Sequence, residues 1–179
     1  MSFVHLHLHT QFSLLDGAIK LGDLIERAKQ YEMSAVAITD HGNMFGAVKF
    51  YQAATRAGLK PIIGSEMYVA PKGRGDRTER KSHHLILLAK DLEGYRNLCR
   101  LSSIGYLEGF YYVPRIDWEM LQAHSRGLIC TTACLGGELA QAIMRGDTDH
   151  ALKTAKEYDA LFGRRNYFLE LQHNGYPEQ

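Results

Sequence analysis

Three histidines alternate with two leucines near the start of the chain, as His5-Leu6-His7-Leu8-His9. An extended backbone turns successive side chains to opposite faces. Period two therefore sets the three imidazoles on one face and Leu6 and Leu8 on the other. Neutral imidazoles at neighbouring same-face positions can hold one metal ion or share two. A single strand histidine is ordinarily a hydrogen-bonded polar group, but three together are costly to bury unless something binds them. We read His7 and His9 as metal ligands, and His5, deeper in the strand, as a core residue or a support for the ligands.

Further donors follow at intervals. Asp16-Gly17 offers a hard oxygen after a turn, and on its own would be an ordinary turn aspartate. Thr39-Asp40-His41-Gly42 closes a short apolar strand with a carboxylate and an imidazole. Glu66 lies near the end of another apolar run, where an unpaired carboxylate would be expensive. His83-His84 opens the next strand, and Cys134 follows the strand 128–131. Successive strand ends thus each deliver nitrogen, oxygen or sulfur to one end of the fold, the end on which α/β barrels build chemistry. A mixed His, Asp, Glu and Cys set suits Zn²⁺, Mn²⁺ or Fe²⁺ better than Mg²⁺ or Ca²⁺. Spacing alone points to a multinuclear metal hydrolase.

The elements that must position these residues alternate between the two hydrophobic periods. Strands are expected at 3–9, 34–39, 61–69, 84–89, 128–131 and 167–171. Helical spacing relates Leu21, Leu24, Ile25 and Ala28. Asn43 is placed to cap a helix burying Ala47, Val48, Tyr51 and Ala54, and Asp91 one burying Leu92, Tyr95, Leu98 and Cys99. Two further helices are expected at 136–144 and 151–162, the second stopped by Gly163. Strands alternating with helices predict an α/β fold with parallel strands, either barrel or doubly wound. Residues 70–82 read as a mobile loop or hairpin, with Lys72, Arg74, Arg77, Arg80 and Lys81 available to solvent or to phosphate. The aromatic stretch 106–117 reads as packing over the barrel mouth, with base stacking as the sharper alternative. Cys99 and Cys130 read as core.

The bulk numbers narrow the class. A length of 179 residues, 45% hydrophobic and 23% charged, suits one domain, 1–179, with its own core. A net charge of +1 demands no polyanionic partner. No apolar run approaches the roughly 20 residues that cross a bilayer. The start lacks the basic and apolar regions of a signal peptide, and three cysteines do not make a disulfide framework. A cytoplasmic protein is expected.

Several longer blocks resemble one family. HLHT at 7–10 followed by FSLLDG resembles the first motif of the PHP (polymerase and histidinol phosphatase) domain. TDHGNMFGAVKFY at 39–51 resembles the second, in the form carried by the α subunit of bacterial DNA polymerase III. GLKPIIGSEMYV, HHLILLAKDLEGYRNL, GLICTTACLGGEL and YFLELQHNG continue the match in the family's order. The resemblance implies a distorted (β/α)7 barrel with a trinuclear site at the strands' C-terminal ends. It implies metal ligands at His7, His9, Asp16, His41, Glu66, His84 and Cys134, with His84 rather than His83 as the ligand of that pair. It places Asp40 behind them, orienting a ligand. The family's last motif, an Asp-x-His, is expected beyond residue 179, so the chain reads as the N-terminal portion of a larger protein.

The activity implied is phosphodiester hydrolysis with Zn²⁺ or Mn²⁺, up to three ions in a complete domain, acting as a 3′→5′ proofreading exonuclease. The implied partners are a DNA 3′ end and other replicase subunits, and no membrane. A non-catalytic scaffold for the polymerase or a proofreading subunit is the competing expectation. A stand-alone phosphatase of small phosphomonoesters fits the polymerase-type motifs less well.

Overall fold

The computed structural model describes residues 3–14 and 16–178. Its elements run α1 (Leu21–Gln30), β1 (Ala35–Ile38), α2 (Ala47–Arg56), β2 (Lys60–Val69), β3 (His83–Ala89) and α3 (Leu92–Leu107). They continue with β4 (Arg115–Ile116), α4 (Trp118–His124), β5 (Leu128–Thr131), α5 (Glu138–Met144), α6 (Thr148–Phe162) and β6 (Tyr167–Phe168). The strands form one open sheet in the order β1-β2-β3-β5-β6, with β4 paired to β2. No helix among the described residues is long and apolar enough to cross a membrane.

The sheet is mixed rather than parallel throughout. β2 runs parallel to β1, but β3 runs antiparallel to both β2 and β5. The reason is the connection, because residues 70–82 contain no helix to carry the chain back across the sheet. They form a hairpin loop, and a hairpin joins antiparallel neighbours. That reversal has a use. His84, at the start of β3, reaches the same end of the sheet as residues at the ends of parallel β1 and β2.

The loop is tied down. The guanidinium of fully buried Arg115 donates to the carbonyls of Gly109, Glu79, Arg74 and Asp76. Arg74 is spent on Glu108, Asp117 and Glu119 at 2.9 to 3.1 Å. Arg77 donates to carbonyls of its own loop, and Arg80 lies 3.6 Å from the centre of the Tyr112 ring.

The histidine-bearing segment 3–9 is extended beside β1 without forming a regular ladder. Ala37 N–H donates to the His5 carbonyl at 3.0 Å and Thr39 N–H to the Leu8 carbonyl at 2.8 Å. Three residues on one side thus answer two on the other, which is a bulge, and a bulge shifts the alternation by one. His5 is therefore turned out, exposed with its ring edge-on to Phe3, and lies neither in the core nor beside the ligands.

Other local expectations are corrected by packing. Asn43 caps no helix, and α2 starts at Ala47 after Gly46. The Asn43 amide instead donates to the carbonyls of His41 and Phe12. α2 buries Ala47, Phe50 and Ala54, leaving Val48 and Tyr51 exposed. Asp91 does cap α3, accepting from Gly94 N–H at 2.9 Å, but Leu92 is exposed and Leu98 and Leu101 carry the buried face. Among the described residues the two larger apolar clusters lie on different elements. One joins β2, β3 and β5 to α3, α4 and α6, and the other joins β1 to α1 and α2. A small third one joins Ala37 to Ile86, Leu88 and Ala133.

Gly17 holds the turn that carries Asp16. A Cβ there would stand 1.8 Å from the Thr10 carbonyl oxygen, whereas a Cβ at helical Gly22 meets nothing within 4 Å. Gly17→Ala should cost about 1–3 kcal/mol by overpacking. Gly22→Ala should stabilise by up to about 1 kcal/mol through helix propensity. Urea unfolding curves of the two variants check the opposite signs.

Candidate metal centre

Glu66 is the hub. It sits on β2 with 1% of its side chain exposed, beside His41, with which it forms a parallel bridge between the ends of β1 and β2. One carboxylate oxygen, Oε2, lies 2.9 Å from His7 Nε2 and 3.6 Å from His9 Nε2. The other, Oε1, lies 2.7 Å from His41 Nδ1 and 3.0 Å from His84 Nδ1. Burial alone would raise its pKa. The imidazoles of His41, His7, His84 and His9 outweigh burial and hold it well below the carboxylate range.

Two donor groups share this carboxylate. His7, His9 and Glu66 form one, and Glu66, His84 and Cys134 the other, each with donor atoms within 4.8 Å of one another. That separation is close to the span allowed by metal–ligand bonds of about 2.0–2.3 Å. In the first group His7 Nε2 and His9 Nε2 are 3.1 Å apart and face the same oxygen. Two imidazole nitrogens aimed at each other and at a carboxylate can share one cation. The donors therefore fit a divalent ion.

The second group depends on a strained turn. Ala133, with φ of 57°, adopts a conformation that residues with a side chain rarely take. The turn carries the Cys134 thiol to 3.5 Å from His84 Nδ1. Gly136 N–H points at the same sulfur at 3.4 Å. Gly136 must lack a side chain, because a Cβ would come within 2.9–3.1 Å of the His84 ring. Burial would raise the thiol's pKa, but His84 and the Gly136 N–H lower it on balance, which favours a thiolate ligand.

Asp16 and His41 lie beside these groups rather than within either. His41 Nε2 is 2.8 Å from Asp16 Oδ2, while its Nδ1 faces Glu66. The His41 and His9 rings stack at 3.9 Å. Gly42 follows with φ of 60°, where a Cβ would strike Pro114 and the Tyr68 ring. Asp40 is buried, accepting from Thr10 N–H at 2.6 Å, from the Thr10 hydroxyl and from Ser13 Oγ at 2.8 Å. Ser13 in turn lies 3.3 Å from His9 Nδ1, so Asp40 reaches a ligand through one hydroxyl.

The fold thus brings together His7, His9, Asp16, His41, Glu66, His84 and Cys134, with Asp40 behind them. His83 lies outside both groups. Sequence reasoning missed Glu170, just past β6, whose Oε1 lies 2.7 Å from His7 Nδ1. Its only signal was an acidic residue in the apolar block YFLEL, the same kind of signal that exposed Glu66. The aromatic stretch divides. Tyr111 lies against Arg115, while Phe45, Tyr106 and Phe110 form an exposed row with neighbouring rings about 6 Å apart.

Residues 5–174 match the PHP domain family. The chain is 51% identical over 183 residues to DNA polymerase III subunit alpha of Treponema pallidum, covering all of this chain and 16% of that protein. It is 53% identical over 186 residues to the subunit of the same name from Thermus aquaticus, covering all of this chain and 15% of that one. The chain therefore spans about a sixth of the length of these curated relatives. Among solved structures, an amidohydrolase from Chromobacterium violaceum is 25% identical, with a TM-score of 0.43, over 57% of this chain and 32% of that one.

Without metal, His7 and His84 hold their protons more tightly than a free imidazole. Burial opposes the charge at His7, but Glu170 and Glu66 raise its pKa to about 9, and Cys134 and Glu66 raise that of His84 to about 10. An incoming ion must displace those protons. Mn²⁺ affinity should therefore climb with pH, by up to roughly tenfold per pH unit for each proton released, and level off above pH 9–10. Calorimetric titrations across that range check it, and an affinity independent of pH below 9 would contradict it.

Proposed function

We propose that this chain, which belongs to the PHP domain family, is the N-terminal PHP portion of a DNA polymerase III α subunit, and that its metal centre hydrolyses the terminal phosphodiester at a DNA 3′ end. The observation that carries the proposal is the division of Glu66, with one oxygen turned to His7 and His9 and the other to His41 and His84, the latter grouped with Cys134. A carboxylate shared in this way would serve a two-metal phosphodiesterase centre.

Each residue then has a task. His7, His9 and Glu66 would hold one ion, and Glu66, His84 and Cys134 the second. Asp16 and His41, paired at the exposed side, would hold a third or orient the substrate phosphate. Zn²⁺ or Mn²⁺ fits this nitrogen, oxygen and thiolate set better than Mg²⁺. When bound, such ions supply an activated water at neutral pH and positive charge against the phosphate oxygens. Asp40, through Ser13, keeps His9 turned toward the ions. No side chain needs to act as a nucleophile.

The exposed row of Phe45, Tyr106 and Phe110 supports a nucleic-acid substrate. Phe45 lies on the loop that Asn43 ties to the His41 carbonyl, and its backbone N–H donates to that asparagine. Bases of a frayed strand can stack on such rings. The scaffold reading draws on a different observation, the exposed apolar residues Phe168, Leu169 and Leu171 at the end of β6 and just past it. A packing role there is compatible with catalysis at the centre.

The α subunit containing this chain should remove nucleotides from a 3′-labelled single strand when supplied with Mn²⁺ or Zn²⁺. His9→Ala should lower that rate by at least about 100-fold, with primer extension by the same preparation as the folding control. Unchanged nuclease activity in His9→Ala, or none in the wild type, would favour the scaffold reading.

A further inference from the structure

We propose that Glu170 is a positioning residue that fixes His7 in the tautomer bearing its proton on Nδ1, so that Nε2 is left as the metal-binding nitrogen. The inference rests on the metal-centre reading above and assigns a role to a residue outside the ligand set.

Both ring nitrogens of His7 face carboxylates in the metal-free chain, and the geometry decides which proton an incoming ion displaces. Glu170 Oε1 lies 2.7 Å from His7 Nδ1. A carboxylate only accepts hydrogen bonds, so Nδ1 must carry a proton. Gln172 Nε2 is also near, at 3.1 Å from Nδ1, but as a donor it cannot take that proton. It donates instead to Glu170 Oε1 at 2.7 Å. In the metal-free chain Nε2 donates to Glu66 Oε2 at 2.9 Å and lies 3.1 Å from His9 Nε2, inside the first donor group. An ion bound there takes the place of the Nε2 proton while Nδ1 keeps its own.

Glu170 is itself held. The Thr131 hydroxyl donates to Oε2, and the Glu170 backbone N–H donates to Thr132 Oγ1 at 2.9 Å. Both threonines stand at the end of β5, and β6 pairs with β5 in parallel, with Thr131 opposite Phe168. The last strand of the sheet therefore carries its carboxylate back to the first histidine of the centre, 163 residues away in sequence.

His9 reaches the same tautomer by another route. Ser13 Oγ must donate its proton to Asp40 Oδ1, 2.8 Å away, so toward His9 Nδ1, at 3.3 Å, it can only accept. His9 Nδ1 is thus also protonated, and its Nε2 faces the centre. Two neighbouring ligands are oriented by two independent acceptors, as is common behind metal-bound histidines.

The test uses the full chain and Zn²⁺ alone, read by competition calorimetry rather than by activity. Glu170→Ala should weaken binding at one of the sites by about 10- to 100-fold while leaving the other near its wild-type affinity. Glu170→Gln keeps an oxygen acceptor for Nδ1–H and should recover most of the loss. Ring-nitrogen NMR of the zinc-loaded wild type, which needs no variant, should find the His7 proton on Nδ1. Wild-type affinity in Glu170→Ala would overturn the proposal, as would Glu170→Gln binding as weakly as Glu170→Ala or a His7 proton on Nε2. A wild-type chain that takes up no Zn²⁺ would overturn the metal-centre reading as well, so the two failures can be told apart.

Discussion

A carboxylate buried among apolar strands has to be compensated, and Glu66 sets that requirement for the whole molecule. With 1% of its side chain exposed, it would be strongly destabilising alone. Four imidazoles converge on its two oxygens, from segment 3–9, from the end of β1 and from the start of β3. Each needs its own element in the right register. The parallel pairing of β1 with β2 brings His41 alongside Glu66, and the antiparallel return of β3 brings His84 to the same end. The extended segment beside β1 supplies His7 and His9. The sheet can be regarded as the device that satisfies this one charge.

Much of this was legible in the sequence because the candidate ligands announce themselves by type. Histidine at period two, an acid in an apolar run and a cysteine beyond a strand are all expensive to bury unpaired, and that cost is a local property. The less legible features depend on long-range geometry. The direction of β3 follows from a hairpin loop whose composition reads equally well as a surface excursion. His5 leaves the centre because a bulge between His5 and Leu8 changes which face it takes, and alternation in the sequence carries no trace of it. Val48, Tyr51 and Leu92 sit at helical spacing, yet the faces actually covered are those of Phe50, Leu98 and Leu101.

Glu170 illustrates the same boundary at the site. It sits just past β6, which pairs with β5 at the far end of the sheet, and its relation to His7 exists only once β6 has docked on β5. Behind the candidate ligands lie oxygens of two kinds, the Glu170 carboxylate facing His7 Nδ1 and the Ser13 hydroxyl, backed by Asp40, facing His9 Nδ1. Charge at the site is arranged in depth. Buried acids hold the donors in place, and the pair Asp16 and His41 lies at the open side where a phosphate could approach.

The central claim is that one carboxylate joins two metal sites within this chain. Elemental analysis of the purified protein, after loading with Zn²⁺ or Mn²⁺ and desalting, tests it most directly. The account predicts two or more ions retained per chain. One ion or none in a folded sample would contradict it, because the donors around Glu66 would then not act as two sites.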